Sequence, residues 1–320
     1  MLAAVRTRWG DPKDVVELKR VPKPVLAHDR VLVRVRATSI NRGDYYGIAA
    51  PMILLRPMMG GFRRPKSALI GGDFAGVVEG VGKDVADFAP GDAVFGSRTG
   101  AFAEYVAARM LAHKPANVTF EEAAAVAVSA LTALQALRDH GGLQPGQSVL
   151  VNGASGAVGP FAVQIAKALG AGTVTAVCRT RNVEQARALG SDRVIDYTQE
   201  DFTKGGERYD VIVDIGGTQP WRRIRRALRP RGRLVIVGSQ SANPLIGPLG
   251  HVFRTKALAR SRAAFFIAEF NRPDMEVLRE LLASGKVKPV IERVYPFAQI
   301  ADALAYMGEG HARAKLVVTL

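Results

Sequence analysis

The sequence predicts an α/β protein in which a doubly wound, parallel-sheet domain is inserted between two segments of a β-rich domain. Residues Val31–Ala37 alternate apolar and polar side chains, which is typical of a half-buried strand. From about residue 120 onward, short apolar strands alternate with helices, the pattern of βαβ units in a parallel sheet. Residues 269–320 are too few to build a large core alone, so we expect them to pack on the N-terminal segment. The predicted segments are 1–122, 123–268 and 269–320.

The N-terminal segment contains further short strands. Asp73–Gly82 and Ala93–Gly96 are rich in apolar residues. The run Pro90-Gly91-Asp92 between them predicts a turn, because Pro fixes one backbone angle and Gly frees the next. Residues 47–67 combine three methionines with other apolar side chains and end in a basic run. We interpret this stretch as a mobile loop with one apolar side, and a buried connector is the alternative.

The central and C-terminal segments alternate strands with helices. Ala-rich residues Glu121–Leu137 predict a helix with Glu in its first turn, as the helix dipole favours. The strands that follow are almost wholly apolar, as expected when helices cover both faces of a sheet. Strands are predicted at Ser148–Asn152, Thr173–Val177, Val194–Ile195, Tyr209–Ile215, Arg233–Val237, Ala263–Ala268, Val290–Val294 and Leu316–Leu320. Helices are predicted at Phe161–Leu169, Val183–Leu189, Trp221–Leu228, Asp274–Leu282 and Ile300–Met307.

Composition excludes several classes of protein. The chain has 320 residues, of which 48% are hydrophobic and 23% charged, and this is a globular rather than a disordered composition. A single cysteine, Cys178, excludes a disulfide scaffold and a multi-cysteine zinc site. Arg6 and Arg8 precede any apolar run, and no apolar run reaches about 18 residues. We therefore expect a cytoplasmic protein without a signal peptide or a membrane span.

The excess of positive charge raises the question of an anionic partner. With 44 Lys and Arg against 29 Asp and Glu, the formal net charge is +15. The runs Arg222–Arg233 and Arg254–Arg262 could attract nucleic acid or an anionic membrane surface. Aromatic residues that would stack on bases are sparse there, with Trp221 the one obvious case. We interpret the arginines as a solvated helix face and predict no specific nucleic acid partner.

A glycine-rich turn is the strongest local motif. Gly153, Gly156 and Gly159 follow an apolar strand and open a helix. Glycines at such a turn let the backbone approach a pyrophosphate, and the helix N-terminus offers free N–H groups. The spacing is G-x-x-G-x-x-G rather than G-x-G-x-x-G, and a plain tight turn is the alternative. The predicted cofactor-binding residues of this turn are Gly153, Ser155, Gly156, Ala157, Val158 and Gly159.

The end of the next strand indicates which dinucleotide is bound. An NAD site usually carries Asp or Glu there for the ribose 2′-hydroxyl, whereas this strand ends in Arg179-Thr180-Arg181. A guanidinium matches phosphate geometry and charge, so the pattern favours NADPH over NADH, with Arg179, Thr180 and Arg181 as ligands. Alternatively, both arginines are ordinary surface residues. Cys178, just before them, is interpreted as a small apolar residue rather than a nucleophile.

Four further motifs lie along the chain: Asn152-Gly-Ala-Ser-Gly-Ala-Val-Gly, Gly72-Asp-Phe-Ala-Gly-Val-Val-Glu-Gly-Val-Gly, Pro90-Gly-Asp-Ala-Val-Phe-Gly and Gly100-Ala-Phe-Ala-Glu-Tyr-Val. Through these motifs the whole chain resembles the medium-chain dehydrogenase/reductase superfamily, and most closely its zinc-free quinone oxidoreductase (zeta-crystallin-like) branch. The resemblance implies a GroES-like β domain formed by both chain ends and an inserted Rossmann domain. It also implies a homodimer, for which the apolar strand Ala263–Ala268 is a candidate interface.

The resemblance further implies that zinc is absent. Zinc-dependent relatives place Cys where this chain has Asn41, and Gly-His-Glu where it has Gly72-Asp73-Phe74. Without a metal, NADPH can reduce an acceptor that is already electrophilic, so the expected substrate is a quinone or an α,β-unsaturated carbonyl compound. Alternatives are a zinc-independent alcohol dehydrogenase or enoyl reductase of the same superfamily, a zinc-dependent alcohol dehydrogenase, and a non-catalytic NADPH-binding protein.

Further site residues follow from the resemblance alone. The segment Asn41–Tyr46 is expected to line the nicotinamide pocket. Asn41 would bond cofactor or substrate, Asp44 would position its neighbours, and Tyr46 would donate to the acceptor carbonyl. Asn41 and Asp44 could instead shape a turn, and Tyr46 could be packing. Further cofactor contacts are expected at Thr132, Tyr197, Ile215, Gly216, Val237, Gly238, Ser239 and Lys315, where Ala314 replaces a family glycine and Lys315 could also be a surface lysine.

Overall fold

The chain divides into two compact units in the computed structural model, which describes residues 1–50, 56, 61–62, 64–238, 249–310 and 312–320. The first unit comprises Met1–Leu131, Phe270–Gly285 and Pro289–Leu320. The second comprises Thr132–Glu269 and Lys286–Lys288. The predicted α/β class, with a unit inserted between both chain ends, is confirmed. In the structure the second unit begins at residue 132 and its main segment ends at residue 269, whereas the sequence predicts an inserted domain over residues 123–268.

The first unit is built on β-sheet. Within the described residues, its main sheet has the order β14-β15-β3-β4-β5-β7, with β6 paired to β3, and a separate antiparallel pair forms from β1 and β2. The C-terminal strand β15 runs antiparallel to β3, so the expected return of the chain end is confirmed. The strands are β1 Leu2–Arg6, β2 Val16–Arg20, β3 Val31–Ile40, β4 Asp73–Val81, β5 Ala93–Ser97, β6 Tyr105–Ala108, β7 Leu111–His113, β14 Ile291–Pro296 and β15 Lys315–Thr319.

Helices pack on this sheet, and the unit buries separate apolar clusters. Phe102, Leu304 and Leu316 are fully buried in one apolar cluster, and Phe74 and Val33 in another. The alternating residues Val31, Val33 and Val35 of β3 belong to the second cluster, and Ile40 at the end of the strand belongs to the first. The helices are α1 Pro12–Val15, α2 Arg42–Ala49, α3 Phe120–Ala124, α4 Ala127–Gln135 (which continues past Leu131), α9 Arg272–Ala283 and α10 Ile300–Gly308.

The second unit is the doubly wound domain. Its described strands form a parallel sheet in the order β10-β9-β8-β11-β12-β13. Order reversal between β8 and β11 creates the crevice at which ligands bind such sheets, at the carboxyl ends of the strands. The strands are β8 Ser148–Asn152, β9 Thr173–Cys178, β10 Arg193–Asp196, β11 Tyr209–Asp214, β12 Leu228–Ile236 and β13 Ala263–Phe265. The helices are α5 Gly159–Ala168, α6 Val183–Ala188, α7 Trp221–Ile224 and α8 Leu249–Ala259.

Two predicted helices are wrong in extent. The single helix expected at Glu121–Leu137 is interrupted at Ala125–Val126, because the Asp73 carboxylate accepts the Val128 N–H (3.1 Å) and starts a new helix there. A π-helix, Ala136–His140, then follows α4. The helix expected at Trp221–Leu228 ends at Ile224.

The arginine run therefore has a different conformation from the one expected. Arg229, Arg231 and Arg233 lie in strand β12 and are exposed, so they do not form a helix face. Pro230 disfavours a helix through the residues that form β12, which agrees with the extended conformation of this stretch. The expectation for residues 47–67 lies largely outside the described residues. Among the helices that are described, none is long and apolar enough to cross a bilayer.

Candidate active site

The glycine turn between β8 and α5 uses two of its glycines for the fold itself. Gly153 has a φ of +91°, a conformation that side chains rarely adopt, and its N–H donates to the Val177 carbonyl at 3.1 Å. A Cβ on Gly159 would lie 2.4 Å from the Gly153 carbonyl oxygen, so the first turn of α5 fits the preceding loop only without a side chain. Both positions therefore require glycine whether or not a ligand is present.

The middle glycine has no such requirement. A Cβ on Gly156 would meet only the Gly153 oxygen, at an ordinary contact distance of 3.7 Å. The absence of a side chain at Gly156 thus leaves open space beside the half-buried residues Ser155, Ala157 and Val158. A dinucleotide pyrophosphate needs such a close approach to backbone N–H groups at the start of a helix. The turn therefore fits a dinucleotide cofactor.

A buried carboxylate that sequence reasoning missed supports this turn. Asp214 ends β11, is fully buried, and accepts hydrogen bonds from Asn152 Nδ2 (2.7 Å) and the Gly217 N–H (2.9 Å). Burial raises the pKa of Asp214. The Asn152 carbonyl in turn accepts the N–H groups of Ile215 and Gly216 at 2.9 and 3.1 Å. Asp214 thereby connects the end of β8 to the turn at residues 215–217. The sequence pattern that could have indicated this role is an Asp that follows the apolar run Val-Ile-Val and precedes two glycines.

The structure describes most of the other predicted cofactor-binding residues of this unit. Val237 and Gly238 follow β12, and their N–H groups approach the Asp214 carbonyl at 2.9 and 3.4 Å. Ser239 lies outside the described residues. Thr132 lies on α4 and is half-buried. The structure thus brings the glycine turn, 215–217 and 237–238 together at the carboxyl ends of β8, β11 and β12.

The end of β9 presents the predicted arginines to solvent. Arg179 is exposed, and its Nε donates to the Tyr197 hydroxyl at 3.1 Å, so two predicted cofactor residues are in contact. Thr180 and Arg181 form an exposed 3-10 turn that follows directly. Asp196, at the end of the neighbouring strand β10, was not anticipated; its carboxylate accepts from the Thr198 N–H at 3.0 Å, and its pKa is lowered first of all by a hydrogen bond from Thr180.

A cluster of buried polar groups lies in the first unit. Lys315 and Asp73 are fully buried, and Asn41 and Ser129 are nearly so. Lys315 Nζ lies 2.6 Å from Asn41 Oδ1, 3.3 Å from Ser129 Oγ and 3.4 Å from Asp73 Oδ2. Asn41 Nδ2 donates to Asp73 Oδ2 at 3.0 Å. Four residues that are far apart in the sequence thus form one connected network.

The helix that begins beside this network carries the other predicted catalytic residues. Asn41 is the N-cap of α2, and its N–H donates to Asp44 Oδ2 at 2.8 Å, one half of a capping box. Tyr46 is half-buried, and its hydroxyl accepts from Arg42 Nε at 3.3 Å. The neighbouring Tyr45 packs on the apolar core, where a Cβ on Gly308 would lie 2.3 Å from its ring.

Asp44 is expected to make stability depend on pH. Burial raises its pKa from 3.8 to about 7, against the opposing effect of the Asn41 backbone hydrogen bond. Between about pH 4 and 7 the unfolded chain therefore binds fewer protons than the folded one, and the free energy of unfolding falls as pH rises through this window. Asp44→Asn keeps an oxygen for the Asn41 N–H but cannot titrate. Denaturant unfolding should show wild type losing stability relative to this variant from pH 4 to 7, and a constant difference would contradict the assignment.

The described residues contain few side chains that could bind a metal ion together. Among them, no three His, Cys, Asp or Glu side chains are grouped so that they could hold a metal ion. Cys178 is buried at the end of β9, and burial raises its pKa to about 11, so its thiol is not a reactive thiolate near neutral pH. The absence of zinc stays a prediction.

Comparison with known proteins identifies the family. Residues 27–116 match the alcohol dehydrogenase GroES-like domain model, and residues 189–318 match the zinc-binding dehydrogenase model. The chain is 34% identical to the mitochondrial NAD(P)H oxidoreductase RTN4IP1 of Mus musculus, over 100% of this chain and 89% of that protein. The quinone oxidoreductase of Coxiella burnetii has a TM-score of 0.85 at 30% identity, covering 100% of this chain and 99% of that one. The chain belongs to the medium-chain dehydrogenase/reductase superfamily, in its quinone oxidoreductase branch.

Other members of the superfamily agree with this assignment. The chloroplastic quinone-oxidoreductase QR1 of Triphysaria versicolor is 32% identical over 93% of this chain and 92% of its own length. An Escherichia coli quinone oxidoreductase, determined in complex with NADPH, shares the fold with a TM-score of 0.81 at 24% identity. The medium-chain dehydrogenase/reductase described here is thus an oxidoreductase that uses a nicotinamide cofactor, and the glycine turn of its second unit fits that group.

Proposed function

We propose that this enzyme is a zinc-independent, NADPH-dependent reductase of quinones or α,β-unsaturated carbonyl compounds. The observation that carries the proposal is the glycine turn with open space at Gly156, followed at the next strand end by the exposed pair Arg179 and Arg181. Among the relatives are a chloroplastic NADPH-dependent alkenal/one oxidoreductase of Arabidopsis thaliana and the tomato 2-methylene-furan-3-one reductase, 31% and 32% identical. Their substrates are electrophilic carbonyl compounds, which supports the acceptor class proposed for this chain.

NADPH rather than NADH is favoured by charge at the end of β9. Arg179 and Arg181 are both exposed residues, and the Tyr197 hydroxyl accepts a hydrogen bond from Arg179 Nε. A 2′-phosphate would complete charge-assisted hydrogen bonds with this pair. Asp196, at the end of the neighbouring strand β10, is a carboxylate that could oppose the phosphate, and Thr198 and Thr180 already hydrogen-bond to it.

The residues of α2 are proposed to act on the acceptor. When bound, NADPH supplies a hydride to an acceptor that is already electrophilic. Because Arg42 donates to the Tyr46 oxygen, the phenolic hydrogen of Tyr46 is left to donate to an acceptor carbonyl, where negative charge develops. Asn41 and Asp44 hold the start of α2 through the capping-box hydrogen bond and so orient Tyr46. This step needs a properly placed hydrogen-bond donor.

Tyr46→Phe tests this role. The variant keeps the ring and removes the hydroxyl, and loss of one such donor should lower kcat by about 100-fold. Tyr45→Phe is the matched control, since Tyr45 lies next to it on α2 but packs on the core, and its kcat should stay near that of wild type. Steady-state NADPH oxidation would be measured with a panel of quinones, enals and enones. Equal kcat values for the two variants would remove Tyr46 from the mechanism, and stoichiometric zinc in the purified enzyme would refute zinc independence.

The assembly stays a proposal of the same kind. Within the part of the chain that the structure describes, β13 forms an edge of the sheet in the second unit, and Ile267 just beyond it is 83% exposed. An unpaired strand edge with apolar neighbours is suited to pairing with a second copy of the chain. We propose a homodimer through this edge, which a sedimentation mass of one chain would contradict.

A further inference from the structure

Lys315 occupies an unusual environment for a lysine. It is the first residue of β15 and is fully buried, although lysine is almost never buried without a partner. The preceding Ala314 has a φ of +59°, a left-handed conformation, at the position where the family resemblance places glycine. A strained backbone conformation thus stands directly before the buried Lys315. Such an arrangement excludes the alternative that Lys315 is a surface lysine.

The ammonium group has a complete set of acceptors inside the first unit. An ammonium has three hydrogens, and the oxygens of Asn41, Ser129 and Asp73 lie 2.6, 3.3 and 3.4 Å from Lys315 Nζ. Burial lowers the pKa of Lys315, and the charges of Asp73 and Asp44 oppose that effect. Because three protein oxygens surround Nζ, no hydrogen of Lys315 is left for a cofactor phosphate.

The Lys315 ammonium and the Asp73 carboxylate together fix the orientation of the Asn41 side-chain amide. Its Oδ1 faces the Lys315 ammonium and its Nδ2 faces the Asp73 carboxylate at 3.0 Å. Rotating the amide by half a turn would place the NH2 group against the ammonium and the oxygen against the carboxylate, and both contacts would be repulsive. Two opposite charges therefore select one orientation of a side chain whose two ends are otherwise nearly isosteric.

We propose that Lys315 is a positioning residue of the active site, which sets the amide orientation of Asn41 and thereby the start of α2, and is not a cofactor contact. This inference rests on the proposed function, because α2 carries Asp44 and Tyr46. It revises the role that the family resemblance implies for Lys315. A fixed ammonium thus lies between the two side chains, Asn41 and Asp73, whose positions the resemblance aligns with metal ligands in zinc-dependent relatives.

The test removes both charges together. Lys315→Met alone leaves the Asp73 carboxylate buried without its cation and should lower Tm by on the order of 10 °C. The double variant Lys315→Met/Asp73→Asn removes that penalty and should fold with a Tm within a few degrees of wild type. Lys167→Met/Asp192→Asn is the matched control, because this exposed pair lies 2.9 Å apart outside the network. The control should behave as wild type in every measurement.

Three measurements on the double variant are decisive. The Asn41 side-chain amide signals in a spectrum of cofactor-free protein, assigned with Asn41→Asp, should shift or split because the amide is no longer held. The Kd for NADPH should stay within about twofold of wild type, and kcat should fall by about 10- to 100-fold. A tenfold rise in the Kd for NADPH would make Lys315 a cofactor contact and overturn the proposal, as would unchanged amide signals or an unchanged kcat.

The same design separates this proposal from the proposed function. If wild-type enzyme reduces no quinone, enal or enone, the proposed function fails, and kcat gives no comparison. The amide signals and the affinity for NADPH are measured without turnover, so they still decide whether Lys315 orients Asn41.

Discussion

Gly156→Ala is expected to abolish tight cofactor binding while leaving the fold intact. The added Cβ would lie 3.7 Å from the nearest heavy atom of the protein, so Tm should stay within about 1 °C of wild type. The same methyl group fills the space that the glycine turn leaves for a pyrophosphate. Losing one or two charge-assisted hydrogen bonds costs about 1.5–3 kcal/mol each, so the Kd for NADPH should rise by about 100-fold. Titration calorimetry measures the Kd for NADPH, and thermal unfolding measures Tm.

Gly159→Ala provides the matched comparison within the same turn. Its Cβ would lie 2.4 Å from the Gly153 carbonyl oxygen, so the backbone must move. The free energy of unfolding should therefore fall by about 1–3 kcal/mol. We expect both a lower Tm and weaker NADPH binding in this variant. If Gly156→Ala instead bound NADPH as wild type does, the turn would be a structural feature and not a cofactor site.

The double variant Arg179→Ala/Arg181→Ala is expected to reverse cofactor preference. Each guanidinium contributes about 1.5–3 kcal/mol to phosphate binding, so the KM for NADPH should rise by about 100-fold or more. The KM for NADH, which has no 2′-phosphate, should change by less than about threefold. Steady-state kinetics with both cofactors and one quinone measure the two effects directly.

The control for this variant is an arginine on the next helix. Arg187 is exposed on α6 and pairs with Glu184 at 2.6 Å, so Arg187→Ala removes the same charge away from the end of β9. It should leave both KM values unchanged. Equal losses for NADPH and NADH in the double variant would contradict assignment of the arginines to the 2′-phosphate.

Local patterns in the sequence predict most of the fold. The alternating side chains of Val31–Ala37 correspond to the start of β3, and the apolar runs near Leu150 and Ile212 correspond to β8 and β11. Strand and helix periodicity depends on neighbouring residues, so it can be read from a short window. Where a distant residue intervenes, the pattern fails: Asp73 bonds the Val128 N–H and begins a helix inside a stretch that looks continuous.

The site is only partly visible in the sequence for the same reason. The glycine turn and Arg179 stand in one contiguous βαβ segment, so their proximity is predictable. The polar network joins Asn41, Asp73, Ser129 and Lys315 from four separate segments, and no spacing rule connects them. Fold-level resemblance alone points to Lys315 as a cofactor contact, and its burial argues for a different role.

The positive charge is also distributed differently from the sequence interpretation. Arg229 and Arg233 lie on β12 rather than on a helix, and Arg229 Nε lies 3.8 Å from the Asp210 carboxylate. Arg262 donates hydrogen bonds to the carbonyl oxygens of Gly232 and Arg229. Some of the excess arginines therefore connect neighbouring segments of the second unit. Arg179 and Arg181 are the arginines to which we assign a ligand.

The most direct test of the proposed activity follows a single turnover. Enzyme carrying NADPH with deuterium at the transferred position would be mixed with an enone, while nicotinamide absorbance is recorded and the product is analysed by mass spectrometry. The proposal predicts that absorbance falls only when the acceptor is present and that the product carries one deuterium at its β-carbon. Tight binding of NADPH, with no loss of absorbance for any enone or quinone, would contradict it and would leave a cofactor-binding protein without this chemistry.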